Sequence, residues 1–328
     1  MPARVLRPKS LIYLAAVVLM VPLGETQAQV QPDADPQVCS NPDQSATLFA
    51  ERLGRKRIGF GLTPTTASVP GPTFEMYEGD CLVINLVNHT RQQVGIHAHG
   101  VAYTFASDGT PHNQGCVSPG RAKTYFFEAS LPGARADGSF DPGSAGYWHY
   151  HDHCMGTPHG TVGLNRGLFG AIIIRREGDR LPDREPFVLV MGPGTTFNLR
   201  RAPNAPLLRA NEGDRVEFVV ISHGDDFHTF HLHGHRWSDN RTGEVEEAGD
   251  IRIIDNKTLG PADSFGFQVI AGEGVGPAAW MYHCHVQGHS DAGMAGLFLV
   301  ANSDGTLTDQ ERAALRRFRR IESGGHHP

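Results

Sequence analysis

After its first 28 positions the chain has no apolar run long enough to cross a bilayer, which takes about 20 residues. It has no excess of basic charge: the formal net charge is −6, so no electrostatic footprint for nucleic acid is present. Cysteine is scarce, at five in 328 residues, and none of it is spaced as the CxxC pairs of a structural zinc site. Helical periodicity is missing except near the C-terminus, which excludes a helical bundle or coiled coil. Disorder is excluded as well, because 39% of the residues are apolar and 8% aromatic. What is abundant is histidine, with 18 residues.

The first 28 residues read as an export signal. Arg4, Arg7 and Lys9 precede an apolar stretch from Leu11 to Leu23, and Thr26-Gln27-Ala28 offers small residues for cleavage. The mature protein is expected to be secreted or periplasmic and free of the membrane. Disulfides are permitted there. Cys39, Cys81, Cys116 and Cys154 allow three pairings, which sequence leaves open, and Cys284 is reserved for other work.

An internal repeat sets the organisation. Glu78-Gly79-Asp80 recurs as Glu212-Gly213-Asp214, and His97-Ala98-His99-Gly100 as His231-Leu232-His233-Gly234, both at an offset of 134. His151-Asp152-His153 recurs as His283-Cys284-His285 at 132, and Gly167-Leu168-Phe169 as Gly296-Leu297-Phe298 at 129. Two homologous domains follow, 29–180 and 181–303, joined near the charged stretch from Arg175 to Pro186, with a tail over 304–328. Short β-branched runs such as Cys81 to Asn88 and Arg215 to Ser222, punctuated by Gly, Pro and Asn, predict an all-β Greek-key sandwich or barrel in each. The tail is expected to hold a short C-terminal helix. Thr308-Asp309-Gln310-Glu311 is a capping-box pattern, and Leu315, Phe318 and Ile321 fall on one side.

Strand parity then sorts the histidines. Side chains alternate faces, so His283 and His285 share one face and Cys284 takes the other. His231 and His233 share a face, and His228 has the opposite parity. One side thus gathers Cys284, His228, His289 and Met294, the soft set of a blue-copper electron-transfer centre. The other gathers eight imidazoles: His97, His99, His151 and His153 from the first domain, His231, His233, His283 and His285 from the second. Eight are too many for one ion and suit a copper cluster. In the first domain Val94, Asp152, Thr157 and Val162 stand at the positions of His228, Cys284, His289 and Met294, so that domain cannot hold a thiolate copper.

These motifs resemble the multicopper oxidases, and within them the two-domain bacterial small laccases. The resemblance runs from about Leu48 to Val300 and includes Trp148-His149-Tyr150-His151-Asp152-His153 and Trp280-Met281-Tyr282-His283-Cys284-His285. It implies cupredoxin-like domains and four coppers per active unit. Type 1 copper would take His228, Cys284, His289 and Met294, and type 2 would take His97 and His231. The type 3 pair would take His99, His151, His153, His233, His283 and His285. The implied activity is one-electron oxidation of a small reducing substrate, phenolic or related, with electrons passing through Cys284 and its neighbours His283 and His285 to reduce O₂ to water. Tyr103 is implied near the cluster as a redox-active aromatic, Asp108 as a proton relay, and a homotrimer with clusters between chains as the assembly. Cys81, Cys116 and Cys154 depart from the family pattern; a disulfide is expected, with Cys116 to Cys154 the preferred pair. His149, His159 and His235 are read as neighbours of ligands or as surface. Two other readings compete. A copper nitrite reductase would need a mononuclear catalytic copper, and a non-catalytic blue-copper carrier would need the type 1 ligands alone.

Overall fold

The computed structural model describes residues 4–5, 39, 41–245 and 252–323. The predicted export signal, apart from residues 4–5, and the end of the tail lie outside them. Eight principal strands build the first half: Gln44–Arg52 (β1), Ile58–Gly61 (β2), Thr73–Tyr77 (β3), Cys81–Asn88 (β4), His97–Ala98 (β5), Ala122–Glu128 (β6), Gly146–His151 (β7) and Phe169–Arg175 (β8). They form two sheets, β2-β1-β4-β6 and β3-β8-β7-β5, the second also carrying residues 4–5 beside β3. The alternation seen in Cys81–Asn88 is real: Leu82, Ile84 and Leu86 point inward, against Phe74, Met76, Ile172 and Ile174 of the facing sheet.

The second half repeats the plan with Phe187–Met191 (β9), Leu207–Asn211 (β10), Arg215–Ser222 (β11), His228–Leu232 (β12), Asn256–Leu259 (β13), Ser264–Ile270 (β14), Ala278–Cys284 (β15) and Ala295–Ala301 (β16). Its sheets are β9-β11-β14 and β10-β16-β15-β12-β13, closed over Phe218, Val220, Phe230, Leu232, Tyr282 and Phe298. The chain is thus an all-β pair of cupredoxin-like sandwiches, as read from its sequence. The C-terminal helix, Asp309–Ser323, is also present and lies against β15. Its capping box closes as expected, with the Thr308 hydroxyl accepting the Glu311 N–H at 3.1 Å and Glu311 accepting the Thr308 N–H. Leu315 and Phe318 are half-buried, whereas Ile321 is exposed.

The halves share a third apolar cluster. Phe169, Ala171 and Ile173 of β8 pack on Val188, Val190, Val219 and Ile221 of β9 and β11, which is why β8 is buried on both faces. Arg175 stands at the start of the joining stretch. It closes β8 at 2% exposure. Its guanidinium meets Glu75 at 2.7 Å and Glu217 at 2.8 and 2.9 Å, and the Tyr147 hydroxyl and Gln268 amide also donate to Glu217. Of the charged stretch Arg175 alone is buried, because its partners come from strands far along the chain; Arg176, Glu177, Arg180, Asp183 and Glu185 are exposed.

Candidate metal centre

The sheet register brings the first four imidazoles together. β5 and β7 are antiparallel neighbours, with His97 directly opposite His151. Residues two apart on each strand return to the same face, so His99 and His153 join them. Ring centroids in the set lie 5.1 to 5.6 Å apart. Main-chain carbonyls fix the tautomers. Nδ1–H of His97 donates to Asp108, that of His151 to Asp152 and that of His153 to Pro158, each at 2.9 Å. Every such bond leaves Nε2 with a bare lone pair, as a metal-binding imidazole requires. The Nε2 atoms of His99 and His151 are 3.2 Å apart. Burial and the neighbouring imidazoles push the His99 pKa down to about 4, so its ring is neutral at physiological pH.

The second half repeats this geometry. β12 and β15 place His231 opposite His283. His231 donates Nδ1–H to Asp255 at 2.8 Å and His283 to Cys284 at 2.9 Å. The Nε2 atoms of His233 and His283 again stand 3.2 Å apart, and His285 lies 5.2 Å, ring to ring, from His283. Nitrogens of His97, His99 and His151, and separately of His231, His233 and His283, lie within 4.8 Å of one another. Among the described residues no ring contact joins the two sets.

On the inner face of β12 and β15 the other group assembles. Cys284 is buried and is the one free thiol among the described residues. Its Sγ lies 3.6 Å from His289 Nδ1 and 3.9 Å from His228 Nδ1, and it accepts the Thr229 N–H at 3.4 Å. Met294 is fully buried in the same core and is tied to the site through its main chain, which bonds to Cys284 and His289. Burial raises the Cys284 pKa and lowers that of His228 to about 4. A half-exposed His289 edge is this group's opening to solvent. A thiol, two imidazoles and a thioether fit copper, and neutral imidazoles with bare Nε2 atoms fit it on the opposite face.

At the corresponding place in the first half, Asp152 is fully buried and accepts the Gly95 and Met155 N–H groups, each at 2.8 Å. Tyr103 stands edge-on to His97 at 5.9 Å and hydrogen-bonds Asp108, which also lies 3.3 Å from His97 Nδ1. Of the histidines read as neighbours, His149 is buried and stacks on His99 at 4.0 Å, and His235 is pinned to His233 O and Gly272 N. His159 is exposed. Sequence reasoning passed over His223. It is buried against His149 and His151 at 4.8 and 5.3 Å, and burial takes its pKa down to about 3. Its signal was faint, since its repeat partner His89 merely pairs with Glu51 at the surface. The cysteines pair as Cys39–Cys81 and Cys116–Cys154.

Two multicopper oxidase domain models match, one over residues 63–179 and the other over 180–304. A probable nitrite reductase-hydroxylamine oxidoreductase fusion protein of Kuenenia stuttgartiensis is 32% identical over 74% of this chain. A putative laccase-17 of Oryza sativa subsp. japonica is 34% identical over 39% of it. The chain spans only 28% and 21% of those two relatives. A blue copper oxidase from Nitrosomonas europaea shares the fold at a TM-score of 0.54, with 22% identity over 83% of this chain and 94% of that one.

Proposed function

The chain belongs to the multicopper oxidase family, and from that premise we propose that it is a laccase-type oxidase of phenolic or related small reducing substrates, with O₂ as acceptor. His228, Cys284, His289 and Met294 would hold a type 1 copper. His97 and His231 would hold type 2, and His99, His151, His153, His233, His283 and His285 the type 3 pair. Bound copper supplies one-electron redox chemistry, so that four substrates give up one electron each while O₂ and four protons become two waters. The chain's own part is geometric. Cys284 stands between His283 and His285 at the end of β15, so covalent bonds join the thiolate of one centre to two imidazoles of the other. Tyr103 and Asp108 lie beside His97 and are the candidates for supplying an electron and moving protons at the cluster.

The observation that carries this reading is the pair of matched half-sites that do not meet within the chain. Each half needs its complement on another copy, a heterologous contact that closes as a ring. We take the ring as a homotrimer with a four-copper set per active unit. Exposed Phe105 near the first half-site, and Phe227, Ile253 and Val286 near the second, are large apolar side chains that such contacts would cover. Among the described residues no helix is long and apolar enough to cross a membrane. A secreted or periplasmic site is inferred from the predicted export signal. The Kuenenia relative's name favours nitrite reduction as a second reading. Copper analysis, O₂ uptake with phenols, aromatic amines and reduced metal complexes, and nitrite consumption under argon form one decisive panel. The proposal expects four coppers per chain and phenol-driven O₂ uptake; nitrite turnover with no O₂ uptake would replace it.

A further inference from the structure

We infer that the Cys116–Cys154 disulfide is the positioning device for the first half-site, holding His97 and His153 where a copper holds the equivalent loop of the second. This rests on the ligand roles proposed above. β7 ends at His151, so His153 leaves the sheet just before Cys154. Around the Cys154 sulfur three backbone segments converge. Gly109 O lies 3.4 Å from it, and a Cβ built on Gly95 would stand 2.6 Å from it and 2.3 Å from Gly109 O. Gly109 follows Asp108, whose carbonyl sets the tautomer of His97. A Cβ on Gly109, itself at φ +76°, would come within 1.9 Å of Ile96 O, so only glycine lets these strands touch. The other sulfur belongs to a fixed anchor. Cys116 lies between Gly115, whose carbonyl accepts the buried Tyr125 hydroxyl, and Val117, which exchanges two backbone bonds with Val94.

The repeat explains the need for this anchor. In the second half Val286 takes the place of Cys154, at the offset of 132, and no disulfide involves it. There His289 and Met294 follow, and copper bound by them and His228 would cross-link the loop to β12. In the first half those positions are Thr157, Val162 and Val94, and the thiolate is replaced by Asp152. A covalent bond supplies the cross-link that the metal cannot.

The test compares two double variants of the full chain. Cys116→Ala/Cys154→Ala removes this bond, and Cys39→Ala/Cys81→Ala removes one that closes a similar loop, 42 residues against 38. Both should cost comparable stability through the unfolded chain. Copper titration of the metal-free proteins should give wild-type type 1 uptake and blue absorption in both. Cluster uptake should weaken about 10- to 100-fold in the Cys116/Cys154 variant alone, the effect expected when support around metal ligands is lost. Amide exchange in the metal-free protein should quicken around residues 95–99 and 151–156 there and not in the control. Equal cluster uptake in wild type and both variants, or equal loss in both variants, overturns the inference. Wild-type uptake of one copper only overturns the ligand assignment, and the inference with it. If the variant does not fold, the folded metal-free Cys39→Ala/Cys81→Ala variant, which keeps only the Cys116–Cys154 bond, can be reduced with a phosphine and titrated in the same way. Weakened cluster uptake after reduction then supports the inference, and unchanged uptake overturns it.

Discussion

Replacing Arg175 with Leu would remove a guanidinium that two buried carboxylates share. Glu75 is 3% exposed and Glu217 fully buried, and both face the guanidinium at 2.7 to 2.9 Å. Tyr147 and Gln268 would still donate to Glu217, but neither carries charge. Breaking a buried ion pair from one side costs about 3–5 kcal/mol, because the stranded charge stays desolvated. For a chain of this size that corresponds to a fall of roughly 6–20 °C in Tm, at about 2–4 °C per kcal/mol. Calorimetry on the metal-free protein would read it. Adding Glu75→Gln and Glu217→Gln to Arg175→Leu should recover most of the loss, since the stranded charges are then gone. A fall of less than about 2 °C, or a triple variant less stable than the single one, would refute the reasoning.

Other outcomes follow from the same structure. Cys284→Ser exchanges a soft thiolate for a hard hydroxyl, so blue absorption should vanish and copper should fall by about one per chain; retained blue colour would reassign the site. Asp152→Ala should keep the blue absorption, because Asp152 is not among the proposed type 1 ligands, yet leave the Gly95 and Met155 N–H groups unpaired at a cost of about 1–3 kcal/mol each. Loss of blue colour with cluster copper retained would break the repeat alignment. Burial would raise the Asp179 pKa, but its two hydrogen bonds from Arg241, at 2.5 and 2.6 Å, take it below the usual carboxylate range. The pair therefore stabilises the fold above that range and is lost as pH falls through the lowered value. Asp179→Asn should flatten the acid limb of Tm against pH, and an unchanged limb would show that the pair adds no pH-dependent stability.

Much of the centre was legible because a strand alternates with a period of two. Parity alone put Cys284 and His228 on one face and His283, His285, His231 and His233 on the other, and the register of β12 with β15 agrees. The repeat likewise marked Asp152 as the stand-in for a missing thiolate. What sequence could not supply is set by contacts between distant strands. The choice among cysteine pairings depends on Cα separations of 5.7 and 5.8 Å that only the fold creates. The burial of Arg175 left no local signal, because its two carboxylates lie 100 and 42 residues away. The spacing of His223 from His89 did not mark its role, since its contacts with His149 and His151 arise where the two sandwiches pack.

The central claim is that each cluster is completed between chains, and complementation tests it most directly. One variant carries His97→Ala and His99→Ala, the other His231→Ala and His233→Ala; both keep the type 1 ligands and neither can complete a cluster with itself. Co-expressed in equal amounts, random assembly gives about one contact in four that pairs an intact first half with an intact second half. Purified mixed trimers, each with one such contact among its three, should therefore regain about a third of wild-type O₂ uptake, whereas each variant alone stays inactive. Verified mixed oligomers with no activity, or a wild-type enzyme that is fully active as a monomer, would contradict the account.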